Sequence, residues 1–153
     1  MPKVDIAKVP VRSGANFYPP PFRDQCAGRH KQGLGDAVGL TQFGVNIARI
    51  EPGASSALRH WHEQEDEFIY VLDGELVLIE DGGETVLKPG DAADFAANNG
   101  NGHQLVNRSD RDAVYFEVGS RAKTERVHYP DVDLEMIRDE TGRRLLHKNG
   151  EPW

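Results

Sequence analysis

The sequence predicts an all-β fold, a small antiparallel sandwich or barrel, and three observations predict it. Sixteen glycines and nine prolines fall between short apolar runs rather than at the ends of long periodic ones. The runs are mostly five or six residues long, near the usual strand length. Turn signals separate them at roughly the eight-to-twelve-residue spacing of β-sandwiches and barrels.

In chain order, residues 1–39 read as an N-terminal arm, with Pro19-Pro20-Pro21 and several glycines. Residues 40–120 hold the expected strands: Val45–Ile50, Phe68–Leu72, Leu76–Glu80, Thr85–Leu87, Ala92–Ala96, His103–Asn107 and Ala113–Val118. The turns between them are Glu51-Pro52-Gly53, Asp73-Gly74, Asp81-Gly82-Gly83, Lys88-Pro89-Gly90-Asp91, Asn98–Gly102 and Arg108–Asp112. Asp73-Gly74 is the strongest of these, because a two-residue type I′ hairpin needs positive φ at both positions. Residues 121–153 form a highly charged C-terminal extension with no core-like pattern, in which only DLEMIRDE has the makings of about two helical turns. Both arms are expected to pack on the barrel or on a second subunit.

Composition excludes several classes. The 153 residues fit one domain with one sizeable core. A net charge of −7, from 18 Lys and Arg against 25 Asp and Glu, repels a phosphate backbone, so nucleic acid is not an expected partner. The longest apolar runs, such as Phe68–Leu72, are far below the roughly 18 residues of a membrane span. The opening MPKVDIAKVPVR lacks a continuous apolar stretch, so no secretory signal is expected. Cys26, the single cysteine, forbids an intrachain disulfide and suits a reducing, cytoplasmic compartment. There is no paired-cysteine zinc site, no P-loop and no dinucleotide fingerprint.

The chemistry concentrates in His60-Trp61-His62, Glu67 and His103. In an extended segment His60 and His62 point to one face, so two imidazoles converge. Glu67 shares its strand face with Ile69 and Val71 and so looks into the core, where a carboxylate must be paired or coordinated. His103 shares its face with Leu105 and also points inward. Three imidazoles and one carboxylate fill four positions on a divalent ion and leave two open, a site for chemistry rather than a structural plug. Trp61, Phe68 and Tyr70 fall on the opposite face, toward other packing. Glu63, Glu65 and Asp66 read as a solvated acidic turn, or as groups orienting an imidazole through its free ring nitrogen. His30, His128 and His147 match no motif.

These residues resemble the cupins. The first cupin motif reads here Gly53-ASSALR-His60-Trp61-His62-EQED-Glu67-FIYVLD-Gly74, departing only in a first gap of six residues instead of five. The second motif keeps Gly102, His103 and Asn107, with Asn98 in place of proline and Pro89-Gly90-Asp91 two residues further upstream than the pattern. The resemblance covers roughly residues 40–120 and implies a jelly-roll double-stranded β-helix barrel. It also implies one divalent metal ion, iron, manganese, nickel or zinc, held by His60, His62, Glu67 and His103. The flanks resemble those of small bacterial single-domain cupins, ending in His147-Lys148-Asn149-Gly150-Glu151-Pro152-Trp153; some members carry a sugar-phosphate isomerase label. Cupins commonly pair by their sheets, which implies a homodimer.

Two functions follow. One is an enzyme on a small oxygenated metabolite chelated by the metal, of dioxygenase or isomerase type. The other is a module that binds a sugar or carboxylate without turnover. An isomerase needs a general base inside the barrel, for which Glu117, Tyr115 and Asp94 are the candidates. Arg49, inward by parity with Val45 and Ile47 unless a bulge intervenes, and Gln104 are the candidates for substrate binding.

Overall fold

A computed structural model describes residues 3–153. The strands are β1 (Val11–Ser13), β2 (Arg29–Gly33), β3 (Phe43–Ile50), β4 (Trp61–His62), β5 (Glu67–Asp73), β6 (Leu76–Glu80) and β7 (Gly83–Leu87), followed by β8 (Ala92–Phe95), β9 (Gln104–Val106), β10 (Ala113–Ser120), β11 (Glu125–His128), β12 (Glu135–Asp139) and β13 (Gly142–Leu146). They form three antiparallel sheets, ordered β1-β2-β3-β10-β5-β8, β13-β12-β11-β4 and β7-β6-β9. This is the antiparallel all-β arrangement expected from the strand spacing, and the jelly roll that the cupin resemblance implies.

Period-two alternation selects the inner face. On β5, Ile69 and Val71 are buried while Phe68, Tyr70 and Leu72 are exposed, and on β10 Ala113 and Tyr115 are buried. With Ala48 and Ile50 of β3, Leu76 and Leu78 of β6, and Leu105 of β9, these side chains form the barrel core. Each buried Val, Leu or Ile among them contributes about 1.5–3 kcal/mol over leaving it exposed.

Both arms are integral to the molecule. β2 pairs with β3 from Arg29↔Ile50 to Gly33↔Asn46, which extends the large sheet. β11 pairs with β4 at Val127↔His62 and His128↔Trp61, so the C-terminal extension supplies the neighbour of the histidine segment. Between arms and barrel lies a second core, with Tyr18, Cys26, Leu58, Val127, Tyr129 and Leu134 all buried. The charged appearance of residues 121–153 concealed this core, because only alternate residues turn inward.

Three local expectations are corrected. The DLEMIRDE stretch is not helical: Glu135–Asp139 is a strand, hydrogen-bonded on one side to β11 and on the other to β13. Two turns of isolated helix would be marginal, whereas the strand satisfies its backbone on both edges and buries Leu134 and Met136. Asp73-Gly74 does not close a type I′ hairpin, since only Gly74 has positive φ, at 75°. The chain there crosses from the β5 sheet to the β6 sheet. Arg49 faces outward, because the even-numbered neighbours Ala48 and Ile50 take the core positions on β3.

Candidate metal centre

His60 and His103 exchange both backbone hydrogen bonds, His60 N–H to His103 O at 3.1 Å and His103 N–H to His60 O at 2.9 Å. This bridge brings two positions 43 residues apart in sequence face to face. The extended backbone then places His62 on the same side as His60, their ring centroids 5.0 Å apart, with His60 and His103 at 4.5 Å. Glu67, the first residue of β5, reaches in from the adjacent sheet. Its Oε2 lies 2.9 Å from His103 Nε2, 3.4 Å from His62 Nε2 and 3.8 Å from His60 Nε2.

Convergence on one oxygen does not make hydrogen bonds here. His62 Nε2 and Glu67 Oε2 are buried atoms without a hydrogen-bond partner among the described residues, a costly condition for a folded chain. Donor atoms of His60, His62 and Glu67 lie within 4.8 Å of one another, a spacing that could hold a metal ion. The His60 tautomer fits this use: Nδ1–H donates to Leu58 O at 2.7 Å, which leaves Nε2 with a free lone pair. A cation bonded to three imidazole nitrogens and a carboxylate would satisfy the orphaned atoms together.

His62 is oriented from behind. Its Nδ1 lies 3.4 Å from Glu125 Oε2 and 3.9 Å from Glu65 Oε2. Glu125 has no side-chain exposure, and its Oε1 accepts N–H bonds from Glu63, Gln64 and Arg126 at 3.0, 3.0 and 2.8 Å. Burial favours the neutral form of Glu125, yet His62 and these backbone donors hold its carboxyl below the usual range. Burial opposes charge on His62 too, but Glu125 and Glu67 offset it and raise the imidazole to about 10. Glu67 is likewise held well below the ordinary carboxylate value, against burial, by His103, His60 and His62. Burial lowers His103, whose ring lies 3.6 Å from the Phe95 ring and 5° from parallel. His62 is thus held protonated between Glu67 and Glu125, and its proton would have to leave for a cation to enter.

The cluster sits in a cavity of about 270 Å³. Tyr115 and Glu117, both sequence candidates, line it. Tyr115 O–H approaches Glu117 Oε2 at 3.4 Å, while Glu117 Oε1 accepts from Asn46 Nδ2 at 2.9 Å and pairs with Lys31 Nζ at 2.5 Å. The other three candidates lie elsewhere. Asp94 is exposed on β8, opposite Phe68 on the outer face. Arg49 pairs with Asp112 at 2.8 Å on the outer face. Gln104 points away from Leu105 and His103 and donates to Ala57 O at 2.8 Å. The unassigned histidines have structural partners: His30 with Glu51, His128 with Glu63 and His147 with Asp133, each at 2.7 Å.

Sequence reasoning missed Glu125 and four cations of the cavity wall, Arg29, Lys31, Arg138 and Arg143. All five come from the arms. The alternation of Glu125 with Val127 was the only signal for the first, and the cations had none.

A small β-barrel with three histidines and a glutamate meeting at one end of its core defines the class of the molecule. The Cupin_2 family, described as "Cupin domain", matches residues 46–119. A sugar phosphate isomerase from a cupin superfamily of Silicibacter pomeroyi DSS-3 is 45% identical, covers 99% of this chain and 96% of its own, and superposes with a TM-score of 0.95. A second protein with a sugar phosphate isomerase name, from Acidithiobacillus ferrooxidans, is 28% identical over 93% of this chain and 86% of its own, with a TM-score of 0.78. The polyketide cyclase of Streptomyces resistomycificus, at 20% identity, 78% and 79% coverage and a TM-score of 0.61, shares the fold. No match is found among curated protein sequences. The chain belongs to the cupin superfamily.

Proposed function

We propose that this cupin is a metal-dependent enzyme of the isomerase type, acting on a small hydroxy-carbonyl metabolite. The observation that carries the reading is Glu117, a carboxylate that lines the same cavity as the His60, His62, Glu67 and His103 cluster. A dioxygenase or a binding module has no need of such a base beside the metal, whereas an isomerase requires one. The names of the two similar proteins agree with it.

A divalent ion held by the four side chains would polarise a substrate carbonyl oxygen as a Lewis acid. The protein supplies the proton chemistry. Glu117 Oε1 is occupied by Lys31 and Asn46, so Oε2 is the oxygen left to take a proton from the hydroxyl-bearing carbon and return it to the former carbonyl carbon, while the hydroxyl proton passes to the former carbonyl oxygen. Tyr115, buried and held well above its ordinary value by desolvation and then by Glu117, keeps its phenolic proton and steadies Oε2. The aromatic walls of Phe95, Tyr18 and Tyr129 limit water around the reacting atoms.

The second assignment is a homodimer formed through the large sheet. Val45 and Ile47, Phe68 and Tyr70, and Phe116 and Val118 lie side by side on its outer face, with Phe68 45% and Tyr70 42% exposed. A contiguous apolar face of this kind marks an association surface. No helix among the described residues is long and apolar enough to cross a membrane, and the buried free thiol of Cys26 suits the cytoplasm.

The test is incubation of the metal-replete protein with a panel of aldose and ketose phosphates in D₂O, read by NMR. The reading expects metal-dependent solvent deuterium in the product, slowed about 10²-fold or more in Glu117→Gln. Oxygen uptake with the iron form and no deuterium exchange would make the protein a dioxygenase instead.

A further inference from the structure

Of the four cations on the cavity wall, two are matched by carboxylates that also line it. Lys31 pairs with Glu117 at 2.5 Å, and Arg138 pairs with Glu65. Arg29 and Arg143 have no carboxylate within ion-pair distance among the described residues, yet both face the cavity. Arg29 is fixed by two backbone carbonyls, with Nη1 donating to Ser56 O at 2.9 Å and Nη2 to Gly14 O at 3.0 Å. Its Nε–H is buried and has no partner among the described residues. Arg143 stands 5.3 Å over the Phe17 ring, and Phe17 packs on Tyr18, another cavity residue.

A guanidinium held by carbonyls keeps its full positive charge, and a buried donor left unpaired on such a group is costly. That cost, borne by Arg29, vanishes if a ligand brings the missing anion. The metal cluster adds to the imbalance, since Glu67 is the single carboxylate against a 2+ ion. Guanidinium forks match the geometry of phosphate and carboxylate oxygens better than any other side chain does.

We propose that Arg29 and Arg143, one from each arm, form an oxyanion subsite that holds a phosphate or carboxylate group of the substrate while its oxygens at the other end reach the metal cluster. This deepens the isomerase reading and rests on it for the word substrate. It gives the arms a functional reason to pack on the barrel: without β2 and β13 the cavity would lack both unmatched cations.

The test uses isothermal titration of purified full-length protein with inorganic phosphate, and with acetate in parallel, alongside metal analysis of each sample. Arg143→Gln is the primary variant, because the Arg143 side chain makes no hydrogen bond among the described residues; Arg29→Lys is the second, and Arg144→Gln, which alters a cation paired with Asp139 outside the cavity, is the control. The expected result is phosphate or acetate binding weakened about tenfold or more in Arg143→Gln and Arg29→Lys, with metal content unchanged and Arg144→Gln like wild type. The anion with the larger arginine-dependent loss names the substrate group. Binding that is equal in all four proteins, or absent for both anions in wild type, would overturn the subsite and leave the metal reading standing. Protein that carries no metal yet binds phosphate through the two arginines would sink the metal reading and keep the subsite.

Discussion

The Nδ1 atom of His62 faces the Oε2 atom of Glu125 at 3.4 Å, nearer than the Glu65 Oε2 atom at 3.9 Å. Glu125 sits in the C-terminal extension, and three backbone N–H groups fix its other oxygen. A carboxylate behind a metal-binding imidazole sets the tautomer and the ring angle. Glu125→Gln keeps an oxygen for the backbone donors but replaces the charge behind His62. Its metal affinity should fall roughly 10–100-fold with the fold retained, as measured by competition with a chelator of known affinity. An unchanged affinity would show that Glu125 serves the backbone alone.

The tyrosines carry a pH prediction. Burial raises Tyr18 to about 12 and holds Tyr115 and Tyr129 well above their ordinary value. A folded-state value above the unfolded one means that each neutral phenol stabilises the protein fully below about pH 10. That contribution disappears as pH rises through the folded value. Absorbance at the tyrosinate band should therefore show three of the four tyrosines ionising only well above pH 10, together with the loss of near-ultraviolet circular dichroism. Ionisation of all four near pH 10 in a folded protein would contradict the burial.

The outer face of the large sheet predicts the oligomeric state. Sedimentation should give twice the 17.0 kDa chain mass, and Phe68→Glu should return the chain to a monomer by placing a charge among Val118, Tyr70 and their neighbours. A wild-type mass of one chain would remove the dimer.

Gly74 tests the crossing between sheets. Its φ is +75°, and a Cβ there would lie 2.5 Å from Asp112 O and 2.7 Å from Ala113 Cα. Both atoms are backbone and neither can step aside cheaply. Gly74→Ala should cost more than about 2 kcal/mol, the left-handed penalty plus the clash, visible as a lower urea midpoint.

The same glycine shows how far the sequence could be read. The turn at Asp73-Gly74 was legible, but whether the next strand folds back or leaves for another sheet is decided by tertiary packing that turn residues do not encode. Parity worked for Glu67 and His103, because Ile69, Val71 and Leu105 mark one face as core. It failed for Arg49, because both faces of β3 carry apolar residues, one set for the core and the other for the outer face. The DLEMIRDE stretch has neither a clean two-residue nor a clean helical period, and its pairing with β11 and β13 settles the matter. Glu125, Arg29 and Arg143 belong to arms whose polar composition pointed to solvent. Their role arises only when strand pairing carries them to the barrel mouth, which spacing along the chain does not reveal.

His60, His62, Glu67 and His103 are proposed to hold one metal ion. The measurement that tests this most directly is elemental analysis of untagged protein beside its His62→Ala variant, with circular dichroism of both. About one divalent ion per chain is expected in the wild type, lost in His62→Ala while the β signal persists, since the barrel core does not rest on the ion. Metal-free wild-type protein that takes up no ion on reconstitution, or a variant that retains a full complement, would contradict it.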